Sequence, residues 1–482
     1  MALRIDPSPI NDLSLPAIHQ PPIDTPPTSN FSLAIDDLRA AFPHLSIVST
    51  DPNELYAYAQ STYSQIPGLP HAVIVHVRST DDVVKVVNIS RNHLVPIVPY
   101  AGGTSLEGNL SAPPGPSASI CIDLSGLDQI VAINESDSDV VCQAGVTWNG
   151  LNEILREKGI PLFFPLDPGR DATIGGMIST GCSGTNAVRY GTAGGEWVLN
   201  ATVVLPSGEV IKTRQRARKS SAGFDLTKLF IGAEGTLGIV TEATLRLAPL
   251  LPTSVAIVQF PDVRQAANAV CELIDDLCIK MINKYHSPST HPNPHPEKTT
   301  LFFKYQGSPS TLSATSSLVH DITAKYGATG CKVATDEREG EDIWADRRNA
   351  LFTGVSYLEG SLTDVCVPVS RLPDLIYSAK QDFEELGLIA PIAGHVGDGN
   401  FHALVLYRDE KELGLVQEAV KRINRKAIEL DGTCTGEHGV GIGKRDYLVT
   451  ELGEGTVGLM RTIKQTLDPH NLFNPGKVSV DH

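Results

Sequence analysis

The chain has 482 residues, 41% of them apolar, which is enough for a large core and two or three domains. Its 39 basic and 55 acidic residues leave a net charge of −16, which argues against a nucleic-acid surface or an anionic-membrane surface for the whole molecule. No run approaches the roughly 20 apolar residues that span a bilayer, and the eight cysteines are scattered without a Cys-x-x-Cys pair, so we expect neither a membrane span nor a disulfide framework.

Residues 1–50 form the first predicted segment, a Pro-rich arm followed by a short helix over 31–42. Asp6, Asp12 and Asp24 oppose a single Arg4 in the arm. A transit peptide is rich in arginine and poor in acidic residues. The arm alone therefore gives no indication of mitochondrial import.

Residues 51–250 alternate short predicted elements with Gly-rich loops. Strands are predicted at 72–77, 96–99, 120–124, 130–133, 140–144 and 238–247, helices from Thr80 and at 148–157, and a hairpin at 197–213. The loops lie at 99–109, 167–184 and 230–241. None has the Rossmann or Walker spacing. Three such loops in one domain predict a large phosphate-bearing cofactor, with Gly102–Ser105, directly after a strand, suited to a pyrophosphate.

Residues 251–431 read as a second α+β unit, and residues 432–482 as a C-terminal segment with a helix at 457–467. In the second unit, strands are predicted at 255–260, 301–305 and 364–368, and helices at 263–277, 312–326, 337–352, 372–386 and 410–430. Residues 286–296 contain three histidines interleaved with prolines. We predict a solvated loop there rather than a metal site.

The stretch from Ala393 to His402 predicts a hairpin with a two-residue turn at Asp398-Gly399. In that register His395 faces His402, at a Cβ spacing of roughly 4.5–5.5 Å. Two imidazoles at that spacing can share one cation, and Glu437 can add a carboxylate, a ligand set that suits zinc, with manganese as the alternative. His438 is then the natural general base. The competing interpretation is a polar hairpin with surface histidines.

The three Gly-rich loops closely resemble those of the vanillyl-alcohol-oxidase (PCMH-type) FAD-binding superfamily. The His395–His402 stretch, Gly436-Glu-His-Gly439 and Asn474-Pro-Gly-Lys477 look like the branch that contains the cytochrome-type D-lactate dehydrogenases, D-2-hydroxyglutarate dehydrogenase and the glycolate oxidase catalytic subunit. The resemblance covers residues 50–478. It implies an α+β fold: a two-subdomain FAD-binding domain, an α/β-sandwich (ferredoxin-like) substrate cap, and a C-terminal helical segment whose Glu-His loop returns to the flavin.

The resemblance also implies which residues hold FAD. They are Pro99, Gly102, Gly103, Thr104, Ser105, Gly108, Pro168, Thr173, Gly175, Gly176, Gly184, Glu234, Gly238, Ile239, Val240 and, from the tail, Asn474. Covalent members of the superfamily carry a histidine after the Gly-Gly pair, whereas Thr104 stands there in this chain. Non-covalent FAD is therefore expected.

For the substrate, the resemblance assigns the carboxylate clamp to the arginine of a Trp-x-x-Arg motif, which is Arg347 here. Arg348 would face about 100° away on a helix. The alternative is an exposed helix arginine. Asp364 lies in a stretch that looks more like the lactate enzymes than the hydroxyglutarate ones, and we read it as a site-flanking strand.

Together these features predict an FAD- and metal-dependent dehydrogenase of a small D-2-hydroxy carboxylate, with D-lactate oxidised to pyruvate by hydride transfer to flavin N5. The alternatives are D-2-hydroxyglutarate or glycolate oxidation, a non-redox flavoenzyme like alkylglycerone-phosphate synthase, and a flavin-binding module without activity. The resemblance implies a mitochondrial location, the cytoplasm being the alternative, and cytochrome c, a quinone or oxygen as electron acceptor. We also predict a homodimer, a turn role for Asp398, a turn-capping or ligand-orienting role for Asn400, and surface positions for Lys444 and Arg445.

Overall fold

The computed structural model describes residues 29–61, 64–114, 119–269, 272–286, 294–355 and 357–478. Its α-helices are α1 (Ser29–Ala41), α2 (Pro52–Ala57), α3 (Thr80–His93), α4 (Trp148–Glu157), α5 (Ile174–Thr180), α6 (Ala187–Tyr190), α7 (Leu226–Phe230), α8 (Val263–Asn268), α9 (Asp276–Tyr285), α10 (Pro309–Lys325), α11 (Glu337–Val355), α12 (Leu372–Leu386), α13 (Glu410–Glu429), α14 (Leu448–Leu452) and α15 (Glu454–Leu467). Its strands are β1 (Val48–Ser49), β2 (Val73–His76), β3 (Ile97–Tyr100), β4 (Ile120–Asp123), β5 (Ile130–Asn134), β6 (Asp139–Gln143), β7 (Leu162–Phe163), β8 (Val198–Val204), β9 (Val210–Lys212), β10 (Ile239–Arg246), β11 (Ala248–Pro249), β12 (Thr253–Phe260), β13 (Glu272–Ile274), β14 (Thr299–Gln306), β15 (Gly330–Val333), β16 (Glu359–Leu362), β17 (Val365–Cys366), β18 (Ile392–His395) and β19 (Asn400–Tyr407). Among these described elements, no helix combines the length and the apolar character needed to cross a membrane.

The first sheet has the strand order β1-β2-β4-β3, with β2 and β3 both parallel to β4. Helix α3 connects β2 to β3, and its start is fixed by the Ser79 side chain, which accepts a hydrogen bond from the Asp82 N–H. Asp81 and Asp82 lie in the first turn, where their negative charges interact favourably with the positive end of the helix dipole. The first Gly-rich loop leaves β3 at the edge of this sheet.

The second sheet is antiparallel, with the order β5-β6-β10-β8-β9. Its strands include the predicted 197–213 hairpin, observed as β8 and β9, and the predicted 238–247 strand, observed as β10. Helix α5 contacts β10. The second and third Gly-rich loops therefore lie beside the same sheet, one leading into α5 and the other into β10.

A third sheet carries the later motifs, with the order β15-β12-β14-β13-β18-β19-β16, and β17 also pairs with β19. Apolar residues of α9 and α11 pack on one face, and those of α8, α12 and α13 pack on the other. This arrangement agrees with the predicted α+β fold class. We refer to this sheet and the helices that cover it as the cap.

Two local predictions in the cap are wrong. Residues 263–277 do not form one helix but α8, β13 and the start of α9. The hairpin register is shifted by two residues, because Val396–Asp398 form a 3-10 turn and His402 faces Ala393 instead of His395. Since side chains alternate between the two faces of a strand, a shift of two leaves His395 and His402 on the same face.

The C-terminal tail returns to the first sheet. Phe473 forms a parallel bridge with Ile97 of β3, and the Asn474 N–H donates to the Ile97 carbonyl at 2.8 Å. The tail thus extends the sheet edge from which the first Gly-rich loop departs.

Candidate active site

His395, His402 and Glu437 come together as the sequence predicts. Both Nε2 atoms point at the same carboxylate oxygen of Glu437, His395 at 3.2 Å and His402 at 3.1 Å. The two rings are perpendicular, with centroids 5.4 Å apart. One ligand atom from each of the three residues lies within 4.8 Å of the others. Both histidines are buried, which excludes a hairpin with surface histidines.

Each imidazole is held from behind through its other nitrogen. His395 Nδ1 donates to Glu272 at 3.0 Å, and His402 Nδ1 donates to the Thr363 carbonyl at 3.1 Å. Such outer partners fix the ring orientation and the tautomer of metal-binding histidines. In both rings Nε2 is therefore the atom available to a cation.

The charge balance at this centre favours a cation. Glu272 and Asp364 are buried carboxylates around the imidazoles, the Glu437 side chain is 11% exposed, and the buried guanidinium of Arg347 opposes their charges. Burial alone would lower the pKa of His395, but Glu272 and Glu437 raise it well above its ordinary value. A divalent metal bound by the Nε2 atoms of His395 and His402 would supply the positive charge that these carboxylates favour.

Arg347 is 5% exposed, so it is not an exposed helix arginine, while Arg348 beside it on α11 is exposed. One of its terminal nitrogens donates to Glu272 at 2.5 Å, and Glu272 also accepts from His395. The Nε–H of Arg347 is buried without an acceptor in the described structure. Glu272 therefore joins the predicted carboxylate clamp to the predicted metal site.

Asp364 directly precedes the predicted site-flanking strand, observed as β17, and is also a hub of hydrogen bonds. Its Oδ2 accepts from the Glu437 N–H at 2.9 Å, the His438 N–H at 2.8 Å and the Thr435 hydroxyl at 2.9 Å. Its Oδ1 accepts from Asn400 Nδ2 at 2.9 Å. Although burial raises the pKa of Asp364, the neighbouring His438 and His402 bring it well below its usual range. One ionised carboxylate thus shapes the whole Glu-His loop. Asn400, for which a ligand-orienting role was one of two predictions, contacts this carboxylate.

His438 lies beside the trio, with its ring stacked on His402 at 5.0 Å between centroids. Its Nδ1 is 3.8 Å from Asp364 and has no hydrogen-bond partner among the described residues. Burial lowers the pKa of His438, and Asp364 only partly opposes this. A neutral imidazole with a free nitrogen is what a general base requires.

Two side chains connect this loop to the flavin-type domain. The Ser183 hydroxyl donates to the second carboxylate oxygen of Glu437 at 2.5 Å. Glu234, a predicted flavin contact, accepts from the N–H groups of Val440 and Gly441 at 2.5 and 2.8 Å. Burial raises the pKa of Glu234 to about 7. In the described structure Glu234 therefore holds the Glu-His loop in place through these hydrogen bonds.

The predicted flavin residues lie along the three Gly-rich loops. Pro99 is in β3, Gly102–Ser105 and Gly108 follow it, Pro168 lies after β7, Thr173 caps α5 ahead of Gly175 and Gly176, Gly184 follows α5, Glu234 and Gly238 precede β10, Ile239 and Val240 open β10, and Asn474 is in the tail. Gly175 and Gly102 mark close approaches, because a Cβ there would meet Ala144 Cβ at 2.7 Å and the Asp171 carbonyl at 2.6 Å. The Gly102 contact brings the first loop against the second, and the Gly175 contact brings α5 against the end of β6.

The loop Gly102–Ser105 fits a phosphate group. All four residues are half-buried, and none of their backbone N–H groups donates a hydrogen bond to another residue in the described ranges. Unpaired consecutive N–H groups form a site for anions. Asn474 Oδ1 is a further buried polar atom without a partner there, while its Nδ2 donates to the Glu234 carbonyl at 2.8 Å. The loops therefore fit a dinucleotide, as the resemblance implies.

Two other predictions are corrected by the structure. His286 and His295 are not in a solvated loop, because both bond to the buried Asp346 of α11 at 2.8 Å; residues 287–293 lie outside the described residues. Lys444 is not a surface charge but is buried, and its Nζ donates to Asn424 at 3.2 Å. In both cases the partner is far away in sequence.

Sequence reasoning missed Glu272, the hub role of Asp364 and the contact of Ser183. Glu272 was hidden inside the predicted 263–277 helix. The usable signal was Asp275, which caps α9 by accepting from the Cys278 N–H. An N-cap at that position breaks the helix and frees 272–274 to form a strand.

Comparison with known proteins supports this architecture. Residues 70–214 match the family model described as "FAD binding domain", and residues 252–478 match "FAD linked oxidases, C-terminal domain". The D-lactate dehydrogenase (cytochrome), mitochondrial, of Arabidopsis thaliana is 39% identical over 90% of this chain and 78% of its own length. The D-lactate dehydrogenase (cytochrome) 1, mitochondrial, of Saccharomyces cerevisiae is 41% identical over 87% of this chain and 74% of its own length.

Solved structures show the same fold at low identity. Substrate-bound p-cresol methylhydroxylase superposes with a TM-score of 0.76 and 17% identity over 94% of this chain and 97% of its own. Alkyldihydroxyacetonephosphate synthase superposes with a TM-score of 0.72 and 18% identity, over 93% of this chain and 86% of its own. The fold, the matching models and the site define an FAD-dependent oxidoreductase. The chain belongs to the family of FAD-linked oxidases that contains the cytochrome-type D-lactate dehydrogenases.

Proposed function

We propose that this protein is an FAD- and divalent-metal-dependent dehydrogenase that oxidises D-lactate to pyruvate. The observation that carries the proposal is the convergence of the buried His395 and His402, through their Nε2 atoms, on one carboxylate oxygen of Glu437, with His438 alongside. The names of the relatives support D-lactate as the substrate. Zinc suits two imidazoles and one carboxylate, and manganese is the alternative.

The chain's own residues supply binding and proton transfer. Arg347 has a buried Nε–H without a described acceptor, and a substrate carboxylate would accept from it. His438 would take the hydroxyl proton as the hydride leaves Cα, so that the alcohol carbon is oxidised by two electrons. A bound metal would acidify that hydroxyl as a Lewis acid, and FAD would accept the hydride at N5. Ser183 and Asp364 keep Glu437 and His438 in place.

The relatives also support a location and an electron acceptor. Their names place them in the mitochondrion and refer to a cytochrome. Accordingly, the protein works in mitochondria and passes electrons to cytochrome c, the alternatives being a quinone or oxygen. The homodimer stays a prediction.

The proposal is tested by anaerobic mixing of the flavin- and metal-loaded protein with D-lactate, L-lactate, D-2-hydroxyglutarate and glycolate. We expect rapid bleaching of the flavin absorbance by D-lactate and none by L-lactate. Chelation should abolish the bleaching, and a divalent metal should restore it. Bleaching that survives complete removal of the metal contradicts metal dependence, and no bleaching by any of these acids contradicts the reaction class.

Replacing Glu272 by glutamine is expected to lower the affinity for the metal by about 10- to 100-fold, the usual effect of losing an outer partner of a ligand. The carboxylate orients His395 and pairs with Arg347, and glutamine keeps the size but not the charge. Metal titration of the apo-protein by calorimetry measures this. Glu341→Gln, an exposed change on α11, is the matched control. Equal affinities for the two variants would exclude an orienting role.

A further inference from the structure

A cluster of two histidines and one aspartate lies on the helix that carries Arg347. His286 Nε2 donates to Asp346 Oδ1 and His295 Nε2 donates to Asp346 Oδ2, each at 2.8 Å. Asp346 and His295 are buried, and His286 is half-buried. His286 follows α9, His295 precedes β14, and Asp346 belongs to α11. The carboxylate therefore ties α11 to two other segments of the cap.

The two histidines are themselves fixed to α9 by hydrogen bonds. The His295 N–H donates to Asn283 Oδ1 at 2.9 Å, and the His295 carbonyl accepts from Asn283 Nδ2 at 2.7 Å. The His286 N–H donates to the Ile282 carbonyl at 3.2 Å and closes the last turn of the helix. Because Ile282 and Asn283 both belong to α9, the two imidazoles hold Asp346 from one common support.

The position of Asp346 is costly for a helix. Aspartate is a poor residue for a helix interior, and a buried carboxylate is unfavourable without partners. Although burial raises the pKa of Asp346, His295 and His286 bring it below its usual value, so the carboxylate is ionised at neutral pH. Ile343 and Ala350 already pack α11 into an apolar cluster with residues of α9. Apolar contacts are non-directional, whereas hydrogen bonds to both carboxylate oxygens fix the rotation of the helix about its axis.

Arg347 is the next residue of α11, so its position depends on that rotation. Successive helix residues are about 100° and 1.5 Å apart, which lets Asp346 reach the histidines while Arg347 reaches Glu272. Glu272 also accepts from His395, a proposed metal ligand. A rotation or a slide of α11 would therefore move the guanidinium relative to the metal site.

We propose that Asp346, held by His286 and His295, positions Arg347 to bind the carboxylate of the substrate. The inference rests on the proposed function, because Arg347 must hold that carboxylate. Asp346 is a positioning residue and takes no part in bond making. Its loss should weaken substrate binding and leave the hydride transfer from Cα and the proton transfer to His438 largely unchanged.

The test is a double-mutant cycle on the flavin- and metal-loaded enzyme, made of Asp346→Ala, Arg347→Met and the combined variant. The dependence of the anaerobic flavin-reduction rate on D-lactate concentration gives the substrate Kd and the limiting rate. A charge-assisted hydrogen bond contributes a factor of about ten or more. We expect Asp346→Ala to raise the Kd about tenfold, with a limiting rate within about threefold of the unmodified enzyme. In the Arg347→Met background, the same change should alter the ratio of limiting rate to Kd by less than about twofold.

Two further variants complete the test. Asp342→Ala, an exposed change about one turn earlier on α11, is the matched control and should leave the Kd unchanged. Asp346→Asn keeps the size of the side chain and removes its charge. It replaces Asp346→Ala in the cycle if the alanine variant does not fold, and we expect it to raise the Kd about threefold.

The outcomes separate this inference from the function on which it rests. Additive effects of the changes at 346 and 347 overturn it, because Asp346 would then act independently of Arg347. An unchanged Kd with a smaller amplitude of flavin bleaching also overturns it, because that result indicates only a loss of folded protein. No flavin reduction of the unmodified enzyme by D-lactate overturns the proposed function, and this inference with it.

Discussion

Replacing Glu437 by glutamine is expected to remove the metal and to slow flavin reduction by D-lactate by about a thousandfold or more. Lewis-acid stabilisation by a bound metal amounts to several kcal/mol, and each 1.36 kcal/mol is a factor of about ten in rate. Both inner histidine nitrogens converge on the Glu437 carboxylate, so a neutral amide there removes the negative ligand they share. Metal analysis and anaerobic stopped-flow absorbance measure the two effects.

Ser183→Ala is the matched control for this variant. It removes the hydrogen bond to the other oxygen of Glu437 and leaves the ligand oxygen in place. We expect FAD to remain bound in both variants, because Gly102–Ser105 is untouched. A loss of no more than about tenfold is expected for Ser183→Ala. A Glu437→Gln protein that keeps a full complement of metal and its rate would refute the ligand assignment.

Replacing His438 by asparagine is expected to lower the rate of flavin reduction by about 10²- to 10⁴-fold, the usual contribution of a general base. The side chain is 12% exposed, desolvation lowers its pKa, and its Nδ1 has no partner in the described structure. Because the metal is assigned to His395, His402 and Glu437, metal and FAD contents should stay unchanged. Stopped-flow rates at saturating D-lactate, with the metal content measured on the same sample, test this.

His320→Asn, a change at an exposed histidine of α10, provides the control for the loss of an imidazole. A rate for His438→Asn within about threefold of this control would show that another group accepts the proton. Loss of metal from His438→Asn would instead place His438 among the ligands, together with Asp364 and His402, whose atoms also lie close enough for a cation.

The sequence predicted the local elements well where caps and alternation were strong. Helix α4 begins after Thr147, whose side chain accepts from the Gly150 N–H, and its observed bounds equal the predicted 148–157. The convergence of His395, His402 and Glu437 was predicted through a wrong register, and it is observed nevertheless because a shift of two residues preserves the face of a strand.

The parts that escaped prediction depend on contacts between distant residues. Glu272 holds His395 across 123 positions, and Ser183 reaches Glu437 across 254. His295 bonds to Asp346 across 51 positions, which turned a segment with loop-like composition into a buried contact. Composition and periodicity describe single elements, so they carry no information on which side chains from separate elements meet.

The scattered origin of the centre has a consequence for how the molecule matures. The ribosome synthesises Ser183 first, then the two histidines at 395 and 402, and then Glu437. Glu234 can hold the Glu-His loop only after residue 441 has emerged. The same tail completes the edge of the first sheet through Phe473. A chain that stops before residue 437 lacks the carboxylate on which both histidines converge, and one that stops before residue 473 lacks the bridge that completes the sheet edge. The centre can therefore assemble only after the segments that carry these residues have all been synthesised.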